Sequence, residues 1–200
     1  MITMTVKNEI LRKSIHLLAI ILPLSYTVLT KRTLIVGLGI ATVLTLGVEM
    51  LRFRWARFSR WFQGAVGSLL REHERTGLTG ATTLIIGSFV TVLLFDRWIA
   101  VMALFFLVVS DAFGALVGSL WGKHSLFGEK TVEGCGVFLL TAVAIIFLLP
   151  DGHVLIGLTG VVVALLIDVF VERIDDNLTI PVGSGAAMQT LMWILDYGKL

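Results

Sequence analysis

WIAVMALFFLVVSDAFGALVGSLWGKHSLFGEKTVEGCG, residues 98–136, decides the fold class. Its first 21 residues, Trp98–Gly118, are apolar or small apart from Ser110, Asp111 and the glycines. About 20 such residues span the hydrocarbon core of a bilayer as a helix. Working outward gives six more spans: Ser14–Thr30, Thr33–Leu51, Thr79–Phe95, Gly134–Leu149, Val154–Val171 and Ile180–Leu195. The whole composition agrees, with 56% hydrophobic residues, 15% charged and a mean hydropathy of +0.94. A soluble domain carries roughly 25% charged residues. The sequence therefore predicts one all-α integral membrane domain over residues 1–200, with about seven transmembrane helices. The first span is polar at its start and has no small-residue cleavage site after it, so it is read as retained. The lone Cys135 excludes an intramolecular disulfide, and a net charge of +2 argues against nucleic acid as a partner.

Seven spans place alternate connections on opposite sides. Twelve of the 16 Lys and Arg residues fall on the side of Arg12, Lys13, Arg52, Arg71, Lys123, Lys130 and Arg173. Lys31, Arg32, Arg97 and Lys199 fall on the other. The positive-inside rule puts the N-terminus and the first side in the cytoplasm. Between the second and third spans, residues 52–73 predict an amphipathic helix lying in the interface. Trp55, Phe58, Phe62, Val66 and Leu69 share one face, and Arg57, Arg60, Gly64 and Arg71 lie roughly opposite.

Ionisable groups inside apolar spans are costly and mark function. Here they are His16, Glu49, Asp111 and Asp168, all towards the cytoplasmic half. In EILRKSIHL, residues 9–17, Glu9, Arg12, Lys13 and His16 share a helical face, on which cations could hold a phosphate. Topology alone accounts for most such Arg–Lys pairs, but not for His16. In the fourth span Asp111, Gly114, Ala115, Gly118 and Gly122 lie along one line, a groove of small residues with a carboxylate in it. Tight helix packing is the commoner use of such a stripe. A carboxylate beside phosphates usually holds magnesium. The loop at about 119–134 adds glycines that let backbone N–H groups approach a phosphate, and Lys130 adds a point charge. Before the last span, Asp175, Asp176 and Asn177 offer more polar groups than capping needs, and Thr179 with Pro181 reads as the helix start. Together these residues describe a site at the membrane surface for a phosphate-bearing soluble substrate and a lipid.

Four segments, RKSIH at 12–16, ERTGLTGATT at 74–83, DAFGALVGSLWGKH with GEKTVEG at 111–134, and DDNLTIP at 175–181, carry a family likeness. The chain resembles the CTP-dependent lipid kinases, the group of dolichol kinase, phytol kinase and yeast-type diacylglycerol kinase, itself similar to phosphatidate cytidylyltransferases. The family commonly continues KTxEG with serine, where this chain has Cys135, a poorer hydrogen-bond donor. The chain is also short beside eukaryotic dolichol kinases. The resemblance implies transfer of the γ-phosphoryl group of CTP to a membrane-embedded alcohol, preferably an isoprenoid alcohol of polyprenol, dolichol or phytol type, or else diacylglycerol. It implies catalytic roles for Asp111, Lys130 and His16, with Mg2+ held by Asp111 and Asp176. Gly114, Gly118, Lys123, Gly128, Glu129, Lys130, Thr131, Glu133, Gly134 and Asn177 would line the nucleotide. Arg12, Lys13 and His16 would face the transferring group or the alcohol, with Glu74 orienting one of them. The rival readings are CDP-lipid synthesis by attack at the α-phosphorus, and a small membrane transporter. Glycine-rich faces serve intra- and intermolecular packing alike, so the sequence leaves a homo-oligomer open.

Overall fold

The computed structural model describes residues 6–128, 130–149, 153–171 and 174–197. Glu129, Arg173 and Lys199, all invoked above, lie outside the described residues. The described chain is helical apart from one small hairpin. The helices are α1 (Val6–Leu17), α2 (Ile21–Val28), α3 (Lys31–Arg54), α4 (Ala56–Val66), α5 (Gly80–Leu94), α6 (Arg97–Phe105), α7 (Ala112–Trp121), α8 (Val132–Leu148), α9 (Val154–Phe170) and α10 (Asp176–Tyr197). A single 3-10 turn, Leu18–Ile20, joins α1 to α2. It falls where Pro23 has no N–H to offer the carbonyl of residue 19. A π segment, Phe106–Asp111, joins α6 to α7 without interrupting the rod.

Four rods are long and apolar enough to cross a membrane: Asn8–Val28, Lys31–Arg54, Arg97–Trp121 and Asp176–Leu195. Three shorter apolar helices, α5, α8 and α9, accompany them. The Arg97–Trp121 rod is the axis of the bundle, mostly buried among α2, α8 and α10. Its Met102, Leu104, Phe106 and Leu107 are fully buried and meet Tyr26, Phe138, Ile146, Ile180 and Met188. The outward faces are as apolar as the core: Val28 is 82% exposed, Leu148 80% and Val43 70%. Surface of that extent in a water-soluble chain would aggregate, whereas lipid covers it. The chain is an integral, multi-pass membrane protein.

Two expectations need correction at their boundaries. The amphipathic helix of this stretch is α4, Ala56–Val66, and not 52–73. The chain breaks helix at Trp55, where φ is −122° and ψ 99°. Arg52 belongs to α3, and it points inward rather than to lipid headgroups. Its guanidinium donates to Glu49 at 2.7 Å, to the Glu74 carbonyl at 2.8 Å and to the Gly77 carbonyl. On α4, Phe58, Phe62 and Val66 are half-buried and Arg57 and Arg60 exposed, as the amphipathic pattern requires. The last helix starts at Asp176 rather than near Pro181. Asp175 is its cap, accepting from the Asn177 N–H at 2.9 Å. Pro181 cannot bond the Asn177 carbonyl, and α5 packs there instead. A Cβ at Gly87 would meet that oxygen at 2.3 Å, so only glycine allows this approach.

Glu49 is a fold residue. It accepts from the Thr79 N–H and hydroxyl, both at 2.8 Å, from Thr82 at 3.0 Å and from Arg52. Thus α3, the 74–77 turn and the start of α5 are knit by one carboxylate. Removing it leaves Arg52 buried without its counter-ion, which costs about 3–5 kcal/mol. Glu49→Ala is expected to lower the thermal unfolding midpoint in detergent by several degrees. A midpoint equal to that of the unsubstituted chain would show the clamp to be dispensable.

The opposite end of the bundle is closed by paired groups. Arg97 donates to the Tyr26 and Thr27 carbonyls at 2.9 and 2.5 Å, and Lys31 to the Phe95 carbonyl at 2.9 Å. Gln189 both donates to Asp96 and accepts from its N–H, each at 2.9 Å.

Candidate active site

Lys13, His16, Arg71, Asp111, Lys130, Asp168 and Asp176 come together at the end of the bundle where α1, α9 and α10 present their polar termini to α7. At the centre is Asp111, 1% exposed, the last residue of the π segment. Lys13 on α1 is also buried and donates to Asp111 Oδ2 at 2.5 Å. Two oppositely charged groups survive inside a membrane protein only as such a pair. Asp111 Oδ1 is buried and has no hydrogen-bond partner. His16, one turn beyond Lys13, places Nε2 3.2 Å from the Leu107 carbonyl and 4.0 Å from Asp111 Oδ2. A carbonyl can only accept, so Nε2 carries the proton in this contact. The π segment supplies that acceptor, because wide i→i+5 turns disturb the ordinary helical ladder. Glu9, Arg12, Lys13 and His16 do share the inward face, while Leu11 and Ile15 on the other side are 49% exposed. Arg12 pairs with Glu9 at 2.7 Å.

A second pair lies beside the first. Lys130, on the hairpin formed by β1 (Ser125–Phe127) and β2 (Lys130–Thr131), donates to Asp168 of α9 at 2.5 Å. Burial opposes the Lys130 charge, but Asp168 and Asp111 outweigh it and hold the ammonium above its ordinary pKa. The hairpin turns at Gly128, whose φ of 53° suits glycine, and Phe127 rests on Phe170 of α9 with ring centres 5.5 Å apart. A third contact joins Arg71 to Asp176 at 3.7 Å. Lys13, Arg71, Lys130 and Arg12 all act electrostatically on Asp176. Asp111, Asp168 and Asp176 are thus grouped with Lys13, Arg71, Lys130 and Arg12 at one end of the bundle.

The small-residue groove is filled by the protein itself. A Cβ at Gly114 would meet the Gly134 carbonyl at 3.1 Å, and one at Gly118 would meet Thr131 Oγ1 at 3.0 Å. Gly114, Gly118 and Gly134 therefore seat α8 against α7. Thr131 caps α8 by accepting from the Gly134 N–H at 3.2 Å. Glu133 is tied to His124, 2.7 Å from its Nδ1, which fixes the hairpin to α8. Lys123 is exposed at the rim and Cys135 half-buried. Asn177 is 4% exposed and directs its amide to the Gly80 carbonyl at 3.3 Å and to Thr83 at 3.5 Å, linking α10 to α5. Glu74 is 3% exposed, and burial pushes its carboxyl up against the pull of Arg12 and Arg71.

No known family profile matches the chain, and no solved structure matches it. Curated sequences do. Over 162 residues, 72% of this chain and 74% of the relative, it is 30% identical to CTP-dependent diacylglycerol kinase 1 of Schizosaccharomyces pombe. The chain belongs to the CTP-dependent lipid kinase family. Two uncharacterized proteins are similar over more of its length. One, from Rickettsia prowazekii, is 29% identical over 85% of this chain and 88% of its own. The other, from Methanocaldococcus jannaschii, is 30% identical over 87% and 89%. The family likeness read from the four motifs is thereby borne out.

In this member of the lipid kinase family, sequence reasoning left two residues out of the charge cluster. Asp168 was noticed as an acid in an apolar span, but its cation lies 38 residues earlier, on a hairpin that periodicity does not reveal. Arg71 was grouped with the lipid-facing arginines of the interfacial helix. It lies beyond α4 and turns inward to Asp176.

Proposed function

We propose that the protein transfers the γ-phosphoryl group of CTP to the hydroxyl of a membrane alcohol at the Asp111 end of the bundle. The observation that carries this reading is Asp111, a buried carboxylate with one oxygen held by Lys13 and the other unpartnered, in the electrostatic reach of Lys130. Phosphoryl transfer asks a protein mainly for charge neutralisation and in-line positioning. Lys130 and Arg71 are suited to the polyphosphate, being cations whose present partners, Asp168 and Asp176, hold them at the mouth of the cluster. Lys13 and His16 sit deeper, towards the lipid, where the transferring group would meet the alcohol. The exposed Gly128 turn and Lys123 lie where a nucleotide arriving from solvent would be met.

The residues fit a divalent cation, because the free oxygen of Asp111 is a hard donor otherwise left unsatisfied, and Asp176 is a second carboxylate in the same cluster. Mg2+ held there by Asp111 and Asp176 would neutralise charge on the phosphates. All seven apolar rods are taken to cross the membrane, with the Asp111 end in the cytoplasm, as the distribution of lysine and arginine requires. Of the acceptors expected from the sequence, diacylglycerol has the support of the Schizosaccharomyces pombe relative. The outward helix faces are uniformly apolar and favour no isoprenoid chain over it.

The test uses purified protein, Mg2+ and CTP labelled at the α or the γ phosphorus. The panel comprises diacylglycerol, isoprenoid alcohols and phosphatidate. Label from γ appearing in an alcohol is the expected result and names the acceptor. Label from α appearing in phosphatidate would replace the kinase reading by CDP-lipid synthesis.

A further inference from the structure

His73, Glu74 and Asp175 each bring one donor atom to within 4.8 Å of the others' donor atoms. They come from two elements, the 3-10 turn His73–Arg75 and the cap of α10. Glu74 is 3% exposed, and its Oε1 is buried without a hydrogen-bond partner. A carboxylate in that condition needs a cation or a donor, since burying it alone costs several kcal/mol. The orphaned oxygen faces the start of α10. A Cβ at Gly80 would stand 3.2 Å from it and 3.3 Å from the Asn177 amide nitrogen, two residues beyond Asp175. The neighbouring cations are engaged elsewhere, by hydrogen bonds for Arg12 and Arg52 and by an ion pair at 3.7 Å for Arg71. Arg12 is bonded to Glu9, Arg71 reaches Asp176, and Arg52 donates to Glu49 and to backbone carbonyls. The backbone of Glu74 is itself pinned, because its carbonyl accepts from Arg52. The backbone that carries the carboxylate is therefore fixed before any ligand arrives, and His73, exposed to solvent, marks the way in.

We propose that His73, Glu74 and Asp175 bind a divalent cation at a site separate from Asp111. One imidazole with two carboxylates suits Mn2+ or Zn2+ better than Mg2+, which prefers oxygen alone. The site shares the Asp175–Asp176 step with the charge cluster, so its ion adds positive charge one residue from Asp176. Its existence does not depend on the kinase reading.

The experiment uses the full chain in detergent with Mn2+ and neither CTP nor lipid. Bound Mn2+ is followed by paramagnetic resonance, including the coupling to an imidazole nitrogen. His16 lies 4.0 Å from Asp111, so an ion at Asp111 could show that coupling too, and the two histidines are compared. The expected result is a nitrogen-coupled Mn2+ whose coupling disappears in His73→Ala and persists in His16→Ala. Affinity should fall at least about tenfold in His73→Ala and Asp175→Asn. Because His73 is exposed, its replacement leaves the fold intact, whereas Glu74→Gln tests a buried position. Coupling that survives His73→Ala or vanishes in His16→Ala would overturn the proposal. So would a wild-type chain that binds no Mn2+ at millimolar concentration.

Discussion

Asp111→Asn is expected to reduce γ-phosphoryl transfer from CTP by at least about 10³-fold, the scale of losing a central electrostatic group from an active site. The substitution keeps the shape of the side chain and removes its charge. Two separate effects follow. The reaction loses the anionic donor whose Oδ1 is unpartnered. The fold loses the counter-ion of Lys13, which is 3% exposed, at a cost of about 3–5 kcal/mol. A second substitution separates them. Adding Lys13→Met removes the stranded ammonium, so the unfolding midpoint should recover while the activity stays lost. Initial rates of label transfer into the lipid extract, with thermal unfolding in the same detergent, read both quantities. An Asn variant that works near the wild-type rate would remove Asp111 from the chemistry.

Lys130→Met should cost about 10²–10³-fold in turnover, because a hairpin without its ammonium no longer offers a cation to the phosphates. The more informative measurement is the pair. Lys130 donates to Asp168 at 2.5 Å, and the Asp168 side chain is almost fully buried. If Lys130 serves the phosphates, Asp168 acts by holding it in position. Asp168→Asn alone should then reduce turnover by about tenfold, and should add nothing further once Lys130 is Met, a coupling that a double-mutant cycle isolates. Independent, additive losses would place Asp168 on the substrate in its own right. Lys130→Arg should keep part of the activity, since it retains a cation that can reach phosphate oxygens.

The apolar helices were legible because the bilayer imposes a length and an apolar composition, and both are local properties of sequence. The Trp98–Gly118 span became the rod Arg97–Trp121, and Val154–Val171 became α9 with one residue's difference. Charge clustering at one end was legible for the same reason. What eluded the sequence were partners far apart along the chain. Arg52 fits a surface arginine by periodicity, yet its hydrogen bonds go to carbonyls 22 to 25 residues later. The glycines at 114 and 118 read as a groove for a ligand, and the occupant is α8. The start of the last helix was displaced because Pro181 was given the first turn, while Asp175 supplies a stronger cap. Each error arose where a pattern has two physical uses and only the tertiary neighbour decides between them.

The π segment at Phe106–Asp111 also sets a phase relation. Upstream of it the rod is locked by buried Ile99, Met102 and Leu104, and downstream by the glycines that seat α8. A wide turn is equivalent to one residue inserted into an α-helix, and each residue advances the helix by about 100°. The rod therefore carries two faces that are out of step with each other, one fitted to the hydrophobic interior and one aiming a carboxylate at α1. Loss of a single residue between 106 and 110 would bring the two halves back into step, and would swing Asp111 a quarter-turn or more away from Lys13 without removing a charged residue. The length of this segment, rather than the identity of its apolar side chains, is what keeps the carboxylate aimed.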